Sequence, residues 1–173
     1  MDKKFFKTFK EFFGFREESK LRLPFEACYE QITKEPRSFG SGRRDGRKHA
    51  GVDIYCDLHQ WVKPMEEGVV THVSNNFYKG MGAVTVTGKM FCIRYAEIDP
   101  KVKLSDVVTH DSILGTVMRT EWTLPMLHLE MYSRPELNPA VVPLTANAGH
   151  YRRRTDLLDP TTLLLYLYRD KND

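Results

Sequence analysis

The chain has 173 residues, of which 41% are hydrophobic and 28% charged, and its formal net charge is +3. This length fits one globular domain, with or without a tail, and the small charge gives no argument for a nucleic-acid partner. No apolar run approaches the roughly 20 residues of a membrane span, and no signal peptide is visible. We therefore expect a soluble protein made in the cytoplasm, which reaches any exported destination by another route.

The first twenty residues form a basic, amphipathic segment. One helical stripe carries four phenylalanines, Phe5, Phe9, Phe12 and Phe13. Three interpretations of this helix remain open: packing against the body of the protein or a partner chain, binding to an anionic membrane surface, or disorder. The pattern predicts a helix and linker over residues 1–20, followed by one domain over residues 21–168.

The middle of the chain reads as a series of short strands. A short helix is predicted from Leu21 to Ile32, and a loop rich in glycine and arginine follows over residues 40–49. After it come β-like segments, separated by turns: VDIYC, WVKPM, GVVTHVS, AVTVTG, MFCIRYAEI, SILGTVM and MLHLEMY. This succession predicts a mostly β domain, a small antiparallel sheet or sandwich with a cleft, rather than alternating strands and helices.

The end of the chain predicts a second flanking helix. Asp159 is a suitable N-cap, Pro160 suits the first helical position, and an apolar run follows them. The β core is therefore expected to lie between short N- and C-terminal helices.

Three cysteines, Cys28, Cys56 and Cys92, form no CxxC pair of the metal-binding kind. Burial as small apolar side chains is their ordinary interpretation. A disulfide between Cys56 and Cys92 requires that the strands carrying them be neighbours, which the sequence leaves open.

The stretch KHAGVDIYC places His49 and Asp53 four residues apart. In PMLHLEMY, strand alternation puts Met126, His128 and Glu130 on one face, while the intervening leucines face a core. A carboxylate beside a histidine commonly fixes the tautomer of a metal ligand, which is the role expected for Glu130. Two imidazoles and one carboxylate are a recognised zinc set with a fourth position open, but this spacing alone is weak evidence.

The remaining histidines have no comparable setting and are predicted to be surface or turn residues: His59, His72, His110 and His150.

The stretch KHAGVDIYC…VKPMEEGVVTHV resembles the opening of the lysostaphin/LytM-type zinc endopeptidases, whose first motif is H-x-G-x-D. ILGTV resembles a later strand of that family, and LHLE resembles the end of its H-x-H motif. The likeness runs in order from about Phe39 to Tyr132. It implies that His49, Asp53 and His128 hold zinc, and that the substrate is a peptide of bacterial peptidoglycan.

Two positions depart from the family pattern. The first histidine of H-x-H is Met126 here, and Glu97 replaces the histidine of a Y-x-H motif. Glutamate can act as a general base, so Glu97 is the candidate base. Strand alternation predicts that Tyr95 shares its face and lends a hydroxyl, with Arg94 on the other face. RYAEI, MLHLE and the late stretch RRTDLLDPT together resemble a bacterial variant branch of the family.

The arginines of the loop, Arg43, Arg44 and Arg47, suit substrate carboxylates, although a solvated loop is an equal interpretation.

Three hypotheses follow for function. The first is a zinc hydrolase of cell-wall peptides, acting in the periplasm or at the wall. The second is a catalytically silent zinc module that binds wall or docks into a larger assembly, such as a phage tail or secretion apparatus. The third is a metal-free fold whose histidines are satisfied core residues.

Overall fold

A computed structural model describes residues 21–137, 139, 143–146 and 149–172; the helix predicted within residues 1–20 lies outside them. In these residues one antiparallel sheet has nine strands: β1 (Val52–Tyr55), β2 (Trp61–Val62), β3 (Gly68–Tyr78), β4 (Met81–Thr87), β5 (Cys92–Pro100), β6 (Val107–Val108), β7 (Gly115–Val117), β8 (Met126–Tyr132) and β9 (Leu157–Leu158). A 3-10 helix (Tyr29–Thr33) precedes the sheet, and helix α1 (Thr161–Asn172) follows it. The mostly β prediction is confirmed.

The order of the strands brings distant parts of the chain together. The main path runs β1-β8-β5-β4-β3-β6, so β8 lies between β1 and β5. In this register Asp53 of β1 stands opposite His128 of β8, and Ala96 of β5 stands on the other side of His128. A residue on β8 can therefore combine with side chains from both flanking strands.

One face of the sheet packs on the hydrophobic core. Ile54, Leu127 and Leu129 are fully buried there, and Leu164 of α1 joins the same cluster. Burying each such side chain stabilises the fold by roughly 1.5–3 kcal/mol. Because strand side chains alternate, this burial turns Asp53 and His128 toward the opposite face.

The helix predicted from Leu21 to Ile32 is wrong in most of its length, since only the short 3-10 helix forms. Pro24 disfavours a helical backbone at the residue before it. The backbone N–H of Arg22 instead donates to the carbonyl oxygen of Met65 at 2.9 Å, which holds this segment extended along the domain. At the other end, Asp159 Oδ1 accepts from the N–H of Thr161 at 2.9 Å, the contact expected of an N-cap.

The strands that carry Cys56 and Cys92 are not neighbours, so the condition for a disulfide between these cysteines is not met. Cys56 directly follows β1 and Cys92 begins β5, and β8 runs between these two strands. All three cysteines are free thiols. Among the described residues, no helix has the length and apolar character needed to cross a bilayer.

Candidate metal centre

Three ligand-type atoms converge on the face of the sheet opposite the core. His49 Nε2 lies 3.0 Å from Asp53 Oδ1 and 3.0 Å from His128 Nδ1, and the last two atoms are 2.9 Å apart. Ligand atoms around a tetrahedral zinc ion at 2.0–2.2 Å are about 3.3–3.6 Å from one another. The triangle is therefore a few tenths of an ångström tighter than a filled zinc site, and small outward shifts would let one ion touch all three atoms.

Gly51 allows this convergence. A Cβ at position 51 would lie 2.2 Å from the carbonyl oxygen of Leu129 and 3.1 Å from Cε1 of His128. Only a residue without a side chain lets the loop before β1 approach β8 this closely. The glycine between His49 and Asp53 thus sets the distance between the first two ligands and the third.

Each candidate ligand residue has a second polar atom, which points away from the triangle and is held by a hydrogen bond; we call it the outer atom. His49 Nδ1 donates to the carbonyl oxygen of Ser38 at 2.9 Å, and His128 Nε2 donates to Glu130 Oε1 at 3.1 Å. Asp53 Oδ2 accepts from Arg43 Nη2 at 3.3 Å. With both imidazoles neutral, these bonds would leave lone pairs on the inner nitrogens, as a metal ion requires. In the metal-free protein the inner nitrogen of His128 instead carries a proton that it donates to Asp53 Oδ1.

Three ligand-type atoms at such short distances share a proton in the metal-free protein, and a metal ion can take the place of that proton. Two imidazoles and a carboxylate match the donor preference of zinc, and the outer hydrogen bonds match the support that zinc ligands commonly receive. In the described part of the chain, no other histidine, cysteine or carboxylate completes this group. The fourth position would face the cleft. The residues present therefore fit zinc.

The electrostatics of the triangle show what competes with a metal. Burial disfavours charge on His128, but hydrogen bonds to Asp53 and Glu130 outweigh it and raise its pKa to about 9. Burial raises the pKa of Asp53, yet the hydrogen bonds from the two histidines hold it well below its usual range. Burial lowers the pKa of His49. A proton on His128 and a divalent cation thus compete for the same lone pair.

Glu97 enters the cleft through a β-bulge. Gly82 and Ala83 of β4 are consecutive, but they pair with Ile98 and Ala96 of β5, so Glu97 is the extra residue between them. Its φ of 66° lies in the left-handed region, which a residue with a side chain adopts only at a cost. The bulge adds Glu97 to the cleft and returns Ile98 to the core.

The prediction that Tyr95 shares a face with Glu97 is wrong, because the bulge interrupts the alternation on which it rested. Tyr95 is fully buried in the core, and its hydroxyl accepts from the N–H of Met65 at 2.7 Å. Arg94, expected on the opposite face, lines the cleft instead. The Tyr95 hydroxyl therefore lies in the core and does not line the cleft.

The Glu97 carboxyl is poised between its two charge states. Burial raises its pKa to about 7; the charges on His128 and Arg43 lower it, and Asp53 raises it. Glu97 Oε2 is buried and has no hydrogen-bond partner among the described residues. A buried carboxylate oxygen without a donor is costly, so a group that donates to it would be stabilised there.

The cleft has a volume of about 610 Å³ and is rich in arginine. Arg43 and Arg47 of the predicted loop line it, whereas Arg44 is exposed and is not among its lining residues. Arg47 is also held by Asp45, through a 2.9 Å ion pair. Met126 lines the cleft on the same strand as His128.

Several contributors were missed by the sequence reasoning. His72 lines the cleft, and Phe77 stacks on His128 with ring centroids 6.1 Å apart. The guanidinium of Arg94 lies 5.3 Å from the centre of the Phe77 ring. A charged residue inside the apolar strand FCIRYAE was the available signal for Arg94; the sequence held none for His72. His110, expected at the surface, is buried, with Nδ1 3.3 Å from the Pro64 carbonyl oxygen.

Glu130 is fully buried behind His128, at the centre of an ionic cluster. It accepts from Arg94 Nη1 at 3.0 Å, from Arg153 Nε at 2.8 Å and from the Tyr132 hydroxyl at 2.6 Å, besides His128. These donors hold the pKa of Glu130 well below its usual range, although burial raises it. The Glu130 carboxylate therefore stays ionised while it accepts the hydrogen bond from His128 Nε2.

Comparisons with known proteins agree on one fold. Residues 47–139 match the model of "Peptidase family M23". The antimicrobial peptidase lysostaphin from Staphylococcus simulans is similar in structure, with a TM-score of 0.55 and 19% identity over 84% of this chain and 56% of that one. Its catalytic domain alone gives a TM-score of 0.54 and 20% identity, covering 81% of this chain and 99% of the domain.

The cbpa structure from L. salivarius REN gives a TM-score of 0.56 and 20% identity, over 87% of this chain and 98% of that one. At these identities the structural matches establish the fold alone. The chain spans little more than half the length of complete lysostaphin. No curated protein matches the sequence significantly.

Proposed function

The chain belongs to peptidase family M23, and from this premise we propose that it is a zinc-dependent hydrolase of peptides in bacterial peptidoglycan. His49, Asp53 and His128 are the proposed ligands. Peptidoglycan lies outside the cytoplasm, so the proposed place of action is the periplasm or the cell wall.

The observation that carries the proposal is the triangle of three inward atoms, whose outer hydrogen bonds are all satisfied. No pair of these atoms is more than 3.0 Å apart, and each comes from a buried residue. A bound zinc ion would act there as a Lewis acid toward water and the scissile carbonyl.

Glu97 is the proposed general base. Its carboxyl lines the same cleft, and its Oε2 lacks a donor among the described residues, so this oxygen is free to accept a proton from a bound water. Glu97 Oε2 would accept a proton from a water molecule that attacks the peptide carbonyl, and would then return it to the leaving amine. Its φ of 66° fixes the carboxyl in the cleft rather than in the core.

Arg43 and Arg47 are proposed to orient the substrate. Peptide stems of the wall carry carboxylates, and a guanidinium binds a carboxylate through two parallel hydrogen bonds. Arg47 is only half-buried, so its contact with Asp45 can be exchanged for one with substrate. Arg44 is left out of this proposal because it does not line the cleft.

The experiment is an assay of the purified protein on purified cell walls, with metal content measured in parallel. We expect His128→Ala to lose zinc, while His150→Ala, an exposed histidine, retains it. Glu97→Gln should keep zinc and lose hydrolysis by a factor of about 10²–10⁴, the usual contribution of a general base. Glu121→Gln, at an exposed position, is the matched control. If Glu97→Gln cleaves as fast as wild type, the assigned base is wrong.

A second candidate is favoured by Met126. This residue lines the cleft where the family resemblance calls for a histidine, and a thioether neither donates nor readily accepts a proton. The protein would then be a zinc module that holds a wall peptide or a partner without cleaving it. Zinc-loaded wild type that sediments with cell walls and releases no new amino groups would support this second candidate over the first.

A further inference from the structure

Arg153 reaches the metal centre from a part of the chain that the family model does not cover. The match ends at residue 139, and Arg153 lies shortly before β9, paired to Thr145 through an isolated bridge. Strand β9 then adds to β8 through the pairs Met131 with Leu158 and Tyr132 with Leu157. This late segment is thereby fixed against the strand that carries His128.

A single carboxylate oxygen joins Arg153 to the candidate metal ligand. Arg153 Nε and Nη2 each lie 2.8 Å from Glu130 Oε1, and the same oxygen is 3.1 Å from His128 Nε2. The Arg153 side chain is only 10% exposed and Glu130 is fully buried. Arg153 also lines the cleft, but its contacts with Glu130 are largely shielded from bulk water.

The other donors to Glu130 hold its second oxygen. Arg94 Nη1 and the Tyr132 hydroxyl both bond to Oε2, so Arg153 is the arginine that fixes Oε1. Without Arg153, Oε1 would keep only the contact with His128, and the carboxylate would be held through Oε2 by Arg94 and Tyr132. The imidazole would then lose part of the support that points its Nδ1 toward Asp53.

We propose that Arg153 is a positioning residue for the metal centre, acting on His128 through Glu130. The inference rests on the proposed zinc site at His49, Asp53 and His128. It assigns to the segment after residue 139 a share in metal affinity, in addition to its packing against the sheet.

The test measures zinc affinity of the full-length protein, by competition with a chromophoric chelator at fixed pH. Loss of a residue that supports a metal ligand typically weakens binding 10–100-fold, and we expect about a 10-fold loss for Arg153→Ala. Arg153→Lys keeps the charge without the planar fork, so a smaller loss is expected. Arg134→Ala is the control, because that arginine is exposed and pairs with Glu136 instead.

Two further measurements distinguish a positioning role of Arg153 from a purely structural role in folding. Urea unfolding of the metal-free variants reports folding stability independently of zinc. In a Glu130→Met background, which keeps the size of the side chain but has no oxygen to join Arg153 to His128, Arg153→Ala should weaken zinc binding no further. An additive loss would overturn the inference.

The remaining outcomes are equally decisive. A folded Arg153→Ala protein that binds zinc as tightly as Arg134→Ala would overturn the role of Arg153 and leave the zinc site intact. Should Arg153→Ala not fold, the same affinity in Arg153→Lys and wild type would overturn it. Wild-type protein that takes up no zinc would overturn the metal centre itself, and this inference with it.

Discussion

The buried carboxyl of Glu97 makes a quantitative prediction about stability. Its pKa rises from 4.5 to about 7, because burial penalises the charged form. Each pKa unit corresponds to about 1.36 kcal/mol, so a rise of roughly 2.5 units is worth about 3 kcal/mol. The group is only 7% exposed, so little solvent screening reduces this figure.

The sign follows from which state binds the proton more tightly. Below pH 4.5 the carboxyl is protonated in both the folded and the unfolded chain, and its full contribution to the free energy of unfolding is present. As pH rises from 4.5 through 7, the unfolded chain ionises first and the folded protein loses stability. Glutamine never ionises, so metal-free Glu97→Gln should gain about 3 kcal/mol relative to wild type between pH 4 and pH 8.

The assay is urea unfolding of both proteins in the presence of a chelator, at a series of pH values. Glu121→Gln, on an exposed turn, controls for the loss of one carboxyl from the chain. The charges around Glu97 come from Asp53, His128 and Arg43, all of which stay unchanged in the variant. If the difference in unfolding free energy between Glu97→Gln and wild type does not change with pH, the carboxyl is not buried as described.

Three further predictions concern the metal centre. Because the pKa of His128 is about 9, zinc must displace a proton from His128 below that pH. The zinc affinity measured by chelator competition should therefore fall about tenfold for each unit by which the pH is lowered below 9. An affinity that does not change with pH would contradict the hydrogen-bonded triangle. Gly51→Ala would press a Cβ against the Leu129 carbonyl oxygen at 2.2 Å, so we expect a loss of about 3 kcal/mol in urea unfolding and weaker zinc binding. Gly42→Ala, with open space around it, should change neither, and equal effects of the two substitutions would refute the close-approach argument. Met126→His places an imidazole in the cleft and should raise hydrolysis of cell walls about 10²-fold; no gain would argue that Met126 is not what limits the rate.

Much of the architecture was predictable because it depends on local patterns. All seven β-like segments contain strands, since alternation and turn residues are recorded in neighbouring positions. The two-residue strands β6 and β9 were missed, because so short a pairing has no period to detect. The predicted helix from Leu21 onward failed for the opposite reason: its apolar spacing was real, but contacts with Met65 and the restriction from Pro24 overrode it.

The site was predictable only in part. His49, Asp53 and His128 could be named because a motif fixes their types and spacing. Tyr95 was misplaced because period-two alternation assumes an unbroken strand, and nothing in RYAEI signals that glutamate will adopt a left-handed backbone. The contact between Glu130 and Arg153 depends on how a distant segment pairs with β8, which no local pattern records.

Because Glu97 is the extra residue of the β5 bulge, the candidate base can be gained or lost without changing the rest of the strand. Removing that one position would leave Ala96 and Ile98 in ordinary strand phase, with the hydrophobic side unchanged. An in-frame deletion of a single codon would therefore remove the proposed base and keep the core side of β5 and the three proposed ligands in register. If the proposed base is correct, a change of one residue in the length of this strand among related sequences would mark where it was gained or lost.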